Sequence, residues 1–233
     1  MKTRSEVAEK LDNLSLSGER LHKALKSLEW VNKWLGNHPS TVKAILNVYN
    51  KVKVPLKIID LGCGGGDLIL RVAQSLKTAG AKFSITGIDG NCNTLEYAAE
   101  KCAGFPEIKF RQADILNPDF NLEECDILIT SHFIYHFSEK ELIRFIGKVL
   151  PVINRAFICS ELERSRIASF LFKISSFFLP LSKLARQDGL LAISRSFTKK
   201  EWLSILNRAT LSTFNLKRIP LFRLQIIIFP SNR

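Results

Sequence analysis

Residues 59–67 read Ile-Asp-Leu-Gly-Cys-Gly-Gly-Gly-Asp, and this stretch decides the fold. It completes a short apolar run at 56–61, typical of a buried parallel strand, and it leads into a helix predicted over 67–78. Alternate glycines let the backbone turn tightly and approach a ligand, while the following helix directs its unpaired N–H groups at the same point. The stretch therefore predicts a strand–loop–helix unit with a ligand at the loop.

The rest of the chain repeats this alternation of strand and helix. Further strands are predicted at 83–89, 108–112, 125–131 and 156–160, and further helices at 93–103, 138–150 and 199–209. Strands and helices of these lengths in alternation indicate an α/β domain with a parallel, doubly wound sheet. Two closing strands, at 213–218 and 222–229, are separated by only three residues, and so short a connection permits only an antiparallel hairpin.

Two segments add to this sheet domain. Apolar side chains recur at helical spacing over 6–36 and 40–50, which predicts an N-terminal helical cap (residues 1–50) before a sheet domain over 51–233. An insertion at about 164–197 contains an apolar run that is interrupted by Lys173 and Pro180. This run is shorter than the roughly 18 apolar residues of a membrane span, so we expect a hydrophobic helical lid.

Acidic residues end three successive strands, and they distinguish the site from a dinucleotide-binding loop. A dinucleotide fingerprint has a third glycine where this chain has Asp67, and a carboxylate such as Asp60 would repel a pyrophosphate. It would suit the α-amino group and sulfonium of S-adenosylmethionine (SAM). Asp89 is placed to accept hydrogen bonds from both ribose hydroxyls. Asp114 is placed to accept one from an adenine amino group, with Ile115 covering the ring, so the three strand tips predict a SAM site.

The same residues resemble class I SAM-dependent methyltransferases. DLGCGGGD at 60–67 is similar to the first motif of that family, GID at 87–89 to its second and QAD at 112–114 to its third, and the similarity covers about 55–160. The resemblance implies a Rossmann-like, seven-stranded, mostly parallel sheet of order 3-2-1-4-5-7-6, with the last strand antiparallel. The cofactor contacts that it implies come from Asp60, Gly62, Cys63, Gly64, Gly66, Asp89, Gly90, Asn91, Asp114, Ile115, Ser131 and Trp34.

Within that class the chain resembles small-molecule methyltransferases of quinone and polyketide biosynthesis. Their fourth strand runs into a segment such as LHHF, whereas residues 131–137 here read Ser-His-Phe-Ile-Tyr-His-Phe, so Tyr135 replaces the first histidine. His136 or His132 could remove a proton from the acceptor and Tyr135 could hydrogen-bond it; alternatively, these side chains only pack at the strand end. Residues 31–36, Val-Asn-Lys-Trp-Leu-Gly, resemble a segment that folds over the cofactor.

The reaction expected from these features is methyl transfer from SAM to a small, lipophilic or aromatic acceptor. Oxygen is the first expected acceptor atom and carbon the second, and the cofactor chemistry requires no metal. Two other classes stay open. One is an RNA methyltransferase, which the basic C-terminal third would favour, although no NPPY-like tetrapeptide follows the fourth strand. The other is a protein that binds SAM without turnover.

Charge is unevenly distributed along the chain. The net charge is +12, and residues 164–233 alone carry 13 basic and 2 acidic side chains. An apolar run edged by Lys183, Arg186 and Arg195 is typical of a peripheral contact with an anionic membrane, whereas the alternative is a solvated basic face that aids solubility. Five cysteines without a CxxC pair argue against zinc or disulfides, and the absence of a signal-peptide run predicts a cytoplasmic protein. The oligomeric state stays open.

Overall fold

A computed structural model describes residues 3–34, 38–210 and 212–230, apart from the side chain of Trp34. The strands are β1 (Leu56–Leu61), β2 (Phe83–Asp89), β3 (Ile108–Gln112), β4 (Cys125–Ser131), β5 (Ile153–Leu162), β6 (Thr213–Ile219) and β7 (Arg223–Phe229). The helices are α1 (Gly18–Trp34), α2 (Pro39–Val52), α3 (Asp67–Thr78), α4 (Cys92–Cys102), α5 (Glu139–Val149), α6 (Arg166–Ser175), α7 (Lys183–Arg195) and α8 (Lys199–Ala209). Short 3-10 turns occur at Lys10–Asp12, Ile134–His136 and Leu150–Val152.

The seven strands form one sheet of order β3-β2-β1-β4-β5-β7-β6, which confirms the predicted topology. β7 runs antiparallel to both β5 and β6, and the first five strands are parallel. β1 lies between β2 and β4, with Leu61 in register with Ile88 and Thr130. The carboxyl ends of these three strands therefore meet at one edge, the usual place for a ligand in an open α/β sheet.

Each face of the sheet packs against its own layer of helices. On one face, α5 and α8 bury Leu142 and Trp202 against Phe157, and on the other, α2 and α3 bury Ile45 and Ile69. Both α5 and α8 begin with a capping box, formed by Ser138 with Glu141 and by Thr198 with Glu201, as the [ST]-x-x-E pattern indicates. The two layers hold the strand ends, and hence the ligand site, in a rigid frame.

The sequence predicted one or two helices over 6–36, with Ser17 as a possible helix start, and this prediction is wrong only for the residues before Ser17. Residues 3–17 contain only the three-residue turn Lys10–Asp12, and α1 begins at Gly18. This segment is held instead by tertiary contacts: the backbone N–H groups of Lys10 and Leu11 donate to the carboxylate of Asp188 at 3.1 and 2.9 Å. The predicted stop at 36–39 lies partly outside the described residues. We call residues 3–17 the N-terminal segment.

The predicted hydrophobic helical lid, which the sequence left open as one helix or a pair, is a pair. α6 and α7 are joined through Pro180, and Phe172 of α6 packs against Gly189 of α7, where an added Cβ would lie 2.6 Å from the Phe172 ring. Among the described residues, no helix is long and apolar enough to cross a membrane.

Candidate active site

The glycine loop between β1 and α3 takes backbone angles that other residues adopt only at a cost. Gly62 and Gly64 have φ of 69° and 51°, in the left-handed region. A Cβ at Gly62 would lie 2.4 Å from Cδ2 of Phe133, whereas a Cβ at Gly64 would meet nothing within 4 Å. Gly62 is thus required by packing within the protein, and Gly64 leaves an open space beside the loop. Gly66, with φ 74°, is the N-cap residue directly before α3.

Asp89, at the end of β2, fixes the loop from the side. Its carboxylate accepts hydrogen bonds from the backbone N–H groups of Gly64 and Asn91, both at 3.0 Å. Burial raises the pKa of Asp89, and these N–H donors counteract that rise. The side chain of Asn91 caps α4 by accepting from Asn93 and Thr94. Because a carboxylate oxygen has more than one acceptor position, Asp89 retains capacity for the hydroxyls of a ribose.

Asp60 is the clearest sign of a cationic ligand. Its side chain is 2% exposed and lines the cavity described below, and Oδ1 has no hydrogen-bond partner among residues 3–34, 38–210 and 212–230. Burial raises the pKa of Asp60 well above its usual value, and the nearby carboxylates of Asp67 and Asp89 raise it further. A buried carboxylate oxygen without a partner is costly, and a positively charged donor beside Oδ1 would relieve that cost.

The helical cap is attached to the amino-acid end of this site. Asp67, the first residue of α3, accepts a hydrogen bond from Nδ2 of Asn32 at 2.8 Å and pairs with Nε2 of His38 at 3.2 Å. Burial alone would raise the pKa of Asp67, but the hydrogen bond and charge of His38, together with Asn32, outweigh it and lower the pKa. Asn32 belongs to the 31–36 segment that was predicted to fold over the cofactor; Leu35, Gly36 and the Trp34 side chain lie outside the described residues.

A cavity of about 710 Å³ extends from the glycine loop to the lid. Its cofactor end is lined by Asp60, Gly62, Cys63, Gly64, Asp67 and Ser131. Its far end is lined by Leu171, Phe172, Ile174, Phe178, Leu221 and Phe222. An acidic, glycine-rich wall therefore faces an apolar wall, and the volume lies within the range of small-molecule sites.

Two of the three predicted catalytic side chains line this cavity. His132 follows β4 with φ 55°, and the next two backbone N–H groups, of Phe133 and Ile134, donate to Oε1 of Glu161 at 3.1 Å. Burial, with the charge of Arg223, lowers the pKa of His132 to about 3, so its imidazole is neutral at physiological pH. Tyr135 also lines the cavity, and its hydroxyl donates to Glu9 at 3.4 Å.

His136 lies beneath the N-terminal segment and does not line the cavity. Its Nδ1 is 3.5 Å from Asp12, and burial lowers its pKa to about 4. Asp12 and Glu9 both pair with Arg195, at 2.8 and 3.6 Å. These two carboxylates and His136 are close enough to share a metal ion, but the Arg195 guanidinium already supplies the positive charge between the carboxylates.

The predicted ribose and adenine residues lie at the other side of the N-terminal segment. Gly90 faces Leu14, whose Cδ2 would be 2.8 Å from an added Cβ, and Nδ2 of Asn91 donates to the carbonyl of Leu16 at 3.0 Å. Asp114 is exposed and accepts from the N–H of Leu116, while Ile115 is buried in the core behind β4. None of these four residues lines the cavity, nor do Asp89 and Gly66, so the contact of all six with the cofactor stays a prediction.

Sequence reasoning missed Arg223, Glu9 and Asp188, which all line the cavity. Arg223 is only 3% exposed, and burial lowers its pKa to about 10, so it remains cationic at physiological pH. No local motif marks these residues. They come together only because the closing hairpin, the N-terminal segment and the lid meet in the folded chain. The only available signal for Arg223 was a charge opening a strand that is apolar apart from Gln225.

The fold and site define a class of protein: a nucleoside-binding α/β enzyme of the Rossmann-like type whose ligand is cationic. Residues 53–210 match the family model described as a methyltransferase domain, and the chain belongs to this family of class I SAM-dependent methyltransferases. SAM is therefore the cofactor of the site. The Asp60 oxygen that has no partner in the described part of the chain fits the positive charge of SAM. The open space at Gly64 fits a close approach of SAM to the loop.

Relatives and solved structures agree with this assignment. The chain is 35% identical over 101 residues to a 2-phytyl-1,4-naphtoquinone methyltransferase of Nostoc punctiforme, covering 41% of this chain and 42% of that protein. It is 33% identical over 120 residues to the ubiquinone/menaquinone biosynthesis C-methyltransferase UbiE of Campylobacter jejuni, covering 51% and 48%. The matches thus span less than half the length of these relatives.

Similarity of structure extends over more of the chain. An O-methyltransferase family protein from Burkholderia thailandensis has a TM-score of 0.68 at 11% identity, covering 96% of this chain and 63% of that one. A magnesium protoporphyrin IX methyltransferase from Synechocystis PCC 6803, with S-adenosylhomocysteine bound, has a TM-score of 0.59 at 16% identity, covering 87% and 88%. At these identities the likeness concerns the fold.

Proposed function

We propose that this protein transfers a methyl group from SAM to a lipophilic, ring-bearing acceptor with an ionisable hydroxyl, such as a phenol or a hydroquinone. The observation that carries the proposal is the buried cation of Arg223, which follows Leu221 and Phe222 on the apolar wall of a cavity that begins at the cofactor loop. An apolar wall suits a ring or an alkyl chain, and a buried cation suits one oxygen that becomes negative.

The residues of the chain divide the work between binding and orientation. Bound SAM supplies a methyl group already activated by the sulfonium, so transfer needs a positioned nucleophile and the exclusion of water. Asp60 would hold the α-amino group, and the Asp89 carboxylate would hold the ribose. Arg223 would stabilise the ionised oxygen of the acceptor. His132, neutral because of its depressed pKa, would accept a hydrogen bond from the hydroxyl and orient it, and on ionisation the hydroxyl proton would pass to solvent water.

Oxygen is the first acceptor atom that we propose, and the ring carbon beside it is the second. An ionised phenol is nucleophilic at both atoms, and Arg223 would serve either reaction. The carbon is supported by the name of one group of relatives, the ubiquinone/menaquinone C-methyltransferases. An acceptor RNA is less well supported, because the wall that faces the cofactor loop is apolar.

The test is incubation with methyl-labelled SAM and a panel of phenols, hydroquinones and short RNAs, followed by mass spectrometry and by NMR of the labelled methyl group. We expect a labelled phenol or hydroquinone, whose methyl chemical shift identifies an oxygen or a carbon acceptor. Labelled RNA, or SAM binding without any labelled product, would overturn the proposal.

Variants of the cavity wall test the assigned roles. Arg223→Gln should lower kcat by about 10²–10³-fold, the usual cost of removing a group that stabilises a developing oxyanion. Retained SAM affinity would show that this variant is folded. Arg144→Gln, on the exposed face of α5, removes the same charge elsewhere and should leave kcat unchanged. His132→Asn should reduce kcat more than His136→Asn, because only His132 lines the cavity.

A further inference from the structure

The mouth of the cavity is surrounded by exposed apolar side chains. α6 and the turn after it expose Ile167, Phe170, Leu171, Ile174, Phe177 and Phe178, with Phe178 at 85% and Phe177 at 69% exposure. Leu221 and Phe222, at the tip of the β6–β7 hairpin, are 52% and 37% exposed. We call these eight residues the apolar rim. Single exposed apolar residues are ordinary, whereas a cluster of this size at a cavity mouth marks an interaction surface.

The rim is organised in two rows along α6. Ile167, Leu171, Ile174 and Phe178 recur at helical spacing, and the last three line the cavity. The neighbouring row is Arg166, Phe170, Lys173 and Phe177, in which basic and aromatic residues alternate and none lines the cavity. The row that contains Leu171 and Ile174 therefore faces the cavity into which the acceptor would enter. The row that contains Arg166 and Phe170 faces outward and presents basic and aromatic side chains side by side.

The hairpin tip supports the same conclusion from an independent element. Leu221 and Phe222 have φ of 63° and 56°, a conformation that bulky residues adopt at a cost of roughly 1–2 kcal/mol each. Glycine or asparagine is preferred at such turn positions. Large apolar residues held here, exposed and lining the cavity, indicate that the tip contacts something apolar outside the chain.

The charge around the rim is of one sign. Residues 165–187 contain Arg166, Lys173, Lys183 and Arg186 and no acidic residue. Arg166, Lys173 and Lys183 form no ion pair with the part of the chain that the structure describes, and the Arg186 guanidinium lies 5.7 Å from the Phe177 ring centroid. Arg195, which the sequence placed at the edge of this surface, is instead largely covered, with 11% of its side chain exposed, and it pairs with Asp12 and Glu9.

We infer that the apolar rim docks on an anionic lipid bilayer, with the rings of α6 and the hairpin tip in the interface and the basic row against the headgroups. A second copy of this chain fits less well, because a two-fold interface would bring the four positive charges against the same four charges. A bilayer offers apolar depth and negative charge together. The cavity then opens toward the lipid, so that a lipophilic acceptor can enter without crossing water.

The test is sedimentation of the whole protein with vesicles of phosphatidylcholine and phosphatidylglycerol, against vesicles of phosphatidylcholine alone. We expect binding to the mixed vesicles. Phe170→Ser with Phe177→Ser should weaken it at least tenfold without altering the cavity wall. Arg166→Gln, Lys173→Gln and Lys183→Gln together should weaken it about 100-fold, at roughly fivefold per charge near the membrane.

Matched controls separate the rim from general effects. Lys140→Gln, Arg144→Gln and Lys200→Gln together remove the same charge from exposed positions of α5 and α8 and should bind as the wild type does. SAM affinity, measured for every variant, reports folding and is independent of acceptor turnover. Equal binding to both vesicles, equal binding by the Phe170/Phe177 variant, or concentration-dependent self-association that this variant abolishes would overturn the inference.

Discussion

The two walls of the cavity are held in different ways. The cofactor wall is built from backbone: the glycine loop, the ends of β1 and β2, and the Asp89 carboxylate that joins them by hydrogen bonds to Gly64 and Asn91. The lid wall is built from side chains on α6 and α7, and much of it is exposed. Because close-packed backbone cannot relax and exposed side chains can, the same kind of substitution should have different effects on the two walls.

The largest effect is expected for Gly62→Ala. The new Cβ would lie 2.4 Å from the Phe133 ring and would require φ near 69°, so both overpacking and backbone strain apply. We expect a loss of about 3 kcal/mol in the free energy of unfolding, measured by denaturant titration.

Gly64→Ala is the matched control for this prediction. Its Cβ meets nothing within 4 Å, so it should lose only about 1 kcal/mol, from backbone strain, but it should weaken SAM binding because the methyl group points into open space beside the loop. Equal losses of stability in the two variants would show that the loop is not packed as described.

The second-largest effect is expected for Asp60→Asn. Removal of the carboxylate should weaken SAM binding by about 10–100-fold, equivalent to 1.4–2.8 kcal/mol for a charge-assisted hydrogen bond, measured by calorimetry. Free of SAM, the variant should be at least as stable as the wild type, because Asp60 is buried without a cation.

The difference in stability between Asp60→Asn and the wild type should depend on pH, because the pKa of Asp60 is raised in the folded state. A carboxyl group whose pKa is raised on folding contributes stability below its unfolded pKa and loses it as pH rises toward the folded pKa. The stability advantage of Asp60→Asn should therefore grow as pH rises above about 4. An advantage that shrinks with pH would contradict the assignment.

The third-largest effect is expected for a substitution of Glu9, which joins the N-terminal segment to the lid. Burial, with the charge of Asp12, raises its pKa to about 8 against the pull of Arg195. Glu9 thus favours the folded state below its unfolded pKa, and this contribution is lost as pH rises through about 8. Glu9→Gln should exceed the wild type in stability by about 1–3 kcal/mol at a pH above 8 and by less near pH 5, in thermal melts at the two pH values. Asp12→Asn, which removes the 2.8 Å ion pair to Arg195, should instead destabilise at both.

The contrast between the walls also explains what the sequence could predict. The alternation of strands and helices, the hairpin and the joint position of Asp60, Gly62 and Gly64 depend on local patterns: buried runs, loop lengths and glycine spacing. The strand order was implied only by the resemblance to class I SAM-dependent methyltransferases. The roles of Glu9, Asp188 and Arg223 depend on contacts between segments far apart in the chain, such as the bonds from Lys10 and Leu11 to Asp188. Those bonds also belong to the segment before Gly18, where the sequence allowed a helix and the structure has only the turn Lys10–Asp12.

The smallest effect is expected for Gly189→Ala, which repeats the Gly62 experiment on the lid wall. An added Cβ would lie 2.6 Å from the Phe172 ring, almost as close as at Gly62, but it would meet the far end of a side chain on a half-exposed helix. Outward movement of α6 should relieve the contact. Alanine within α7 also has a helix propensity up to about 1 kcal/mol more favourable than that of glycine. The net change in the free energy of unfolding should therefore stay within about 0.5 kcal/mol. SAM affinity should be unchanged, whereas KM for the acceptor should change because Phe172 lines its end of the cavity. A loss of stability as large as that of Gly62→Ala would mean that the lid is as rigidly packed as the cofactor loop, and the distinction between the two walls would fail.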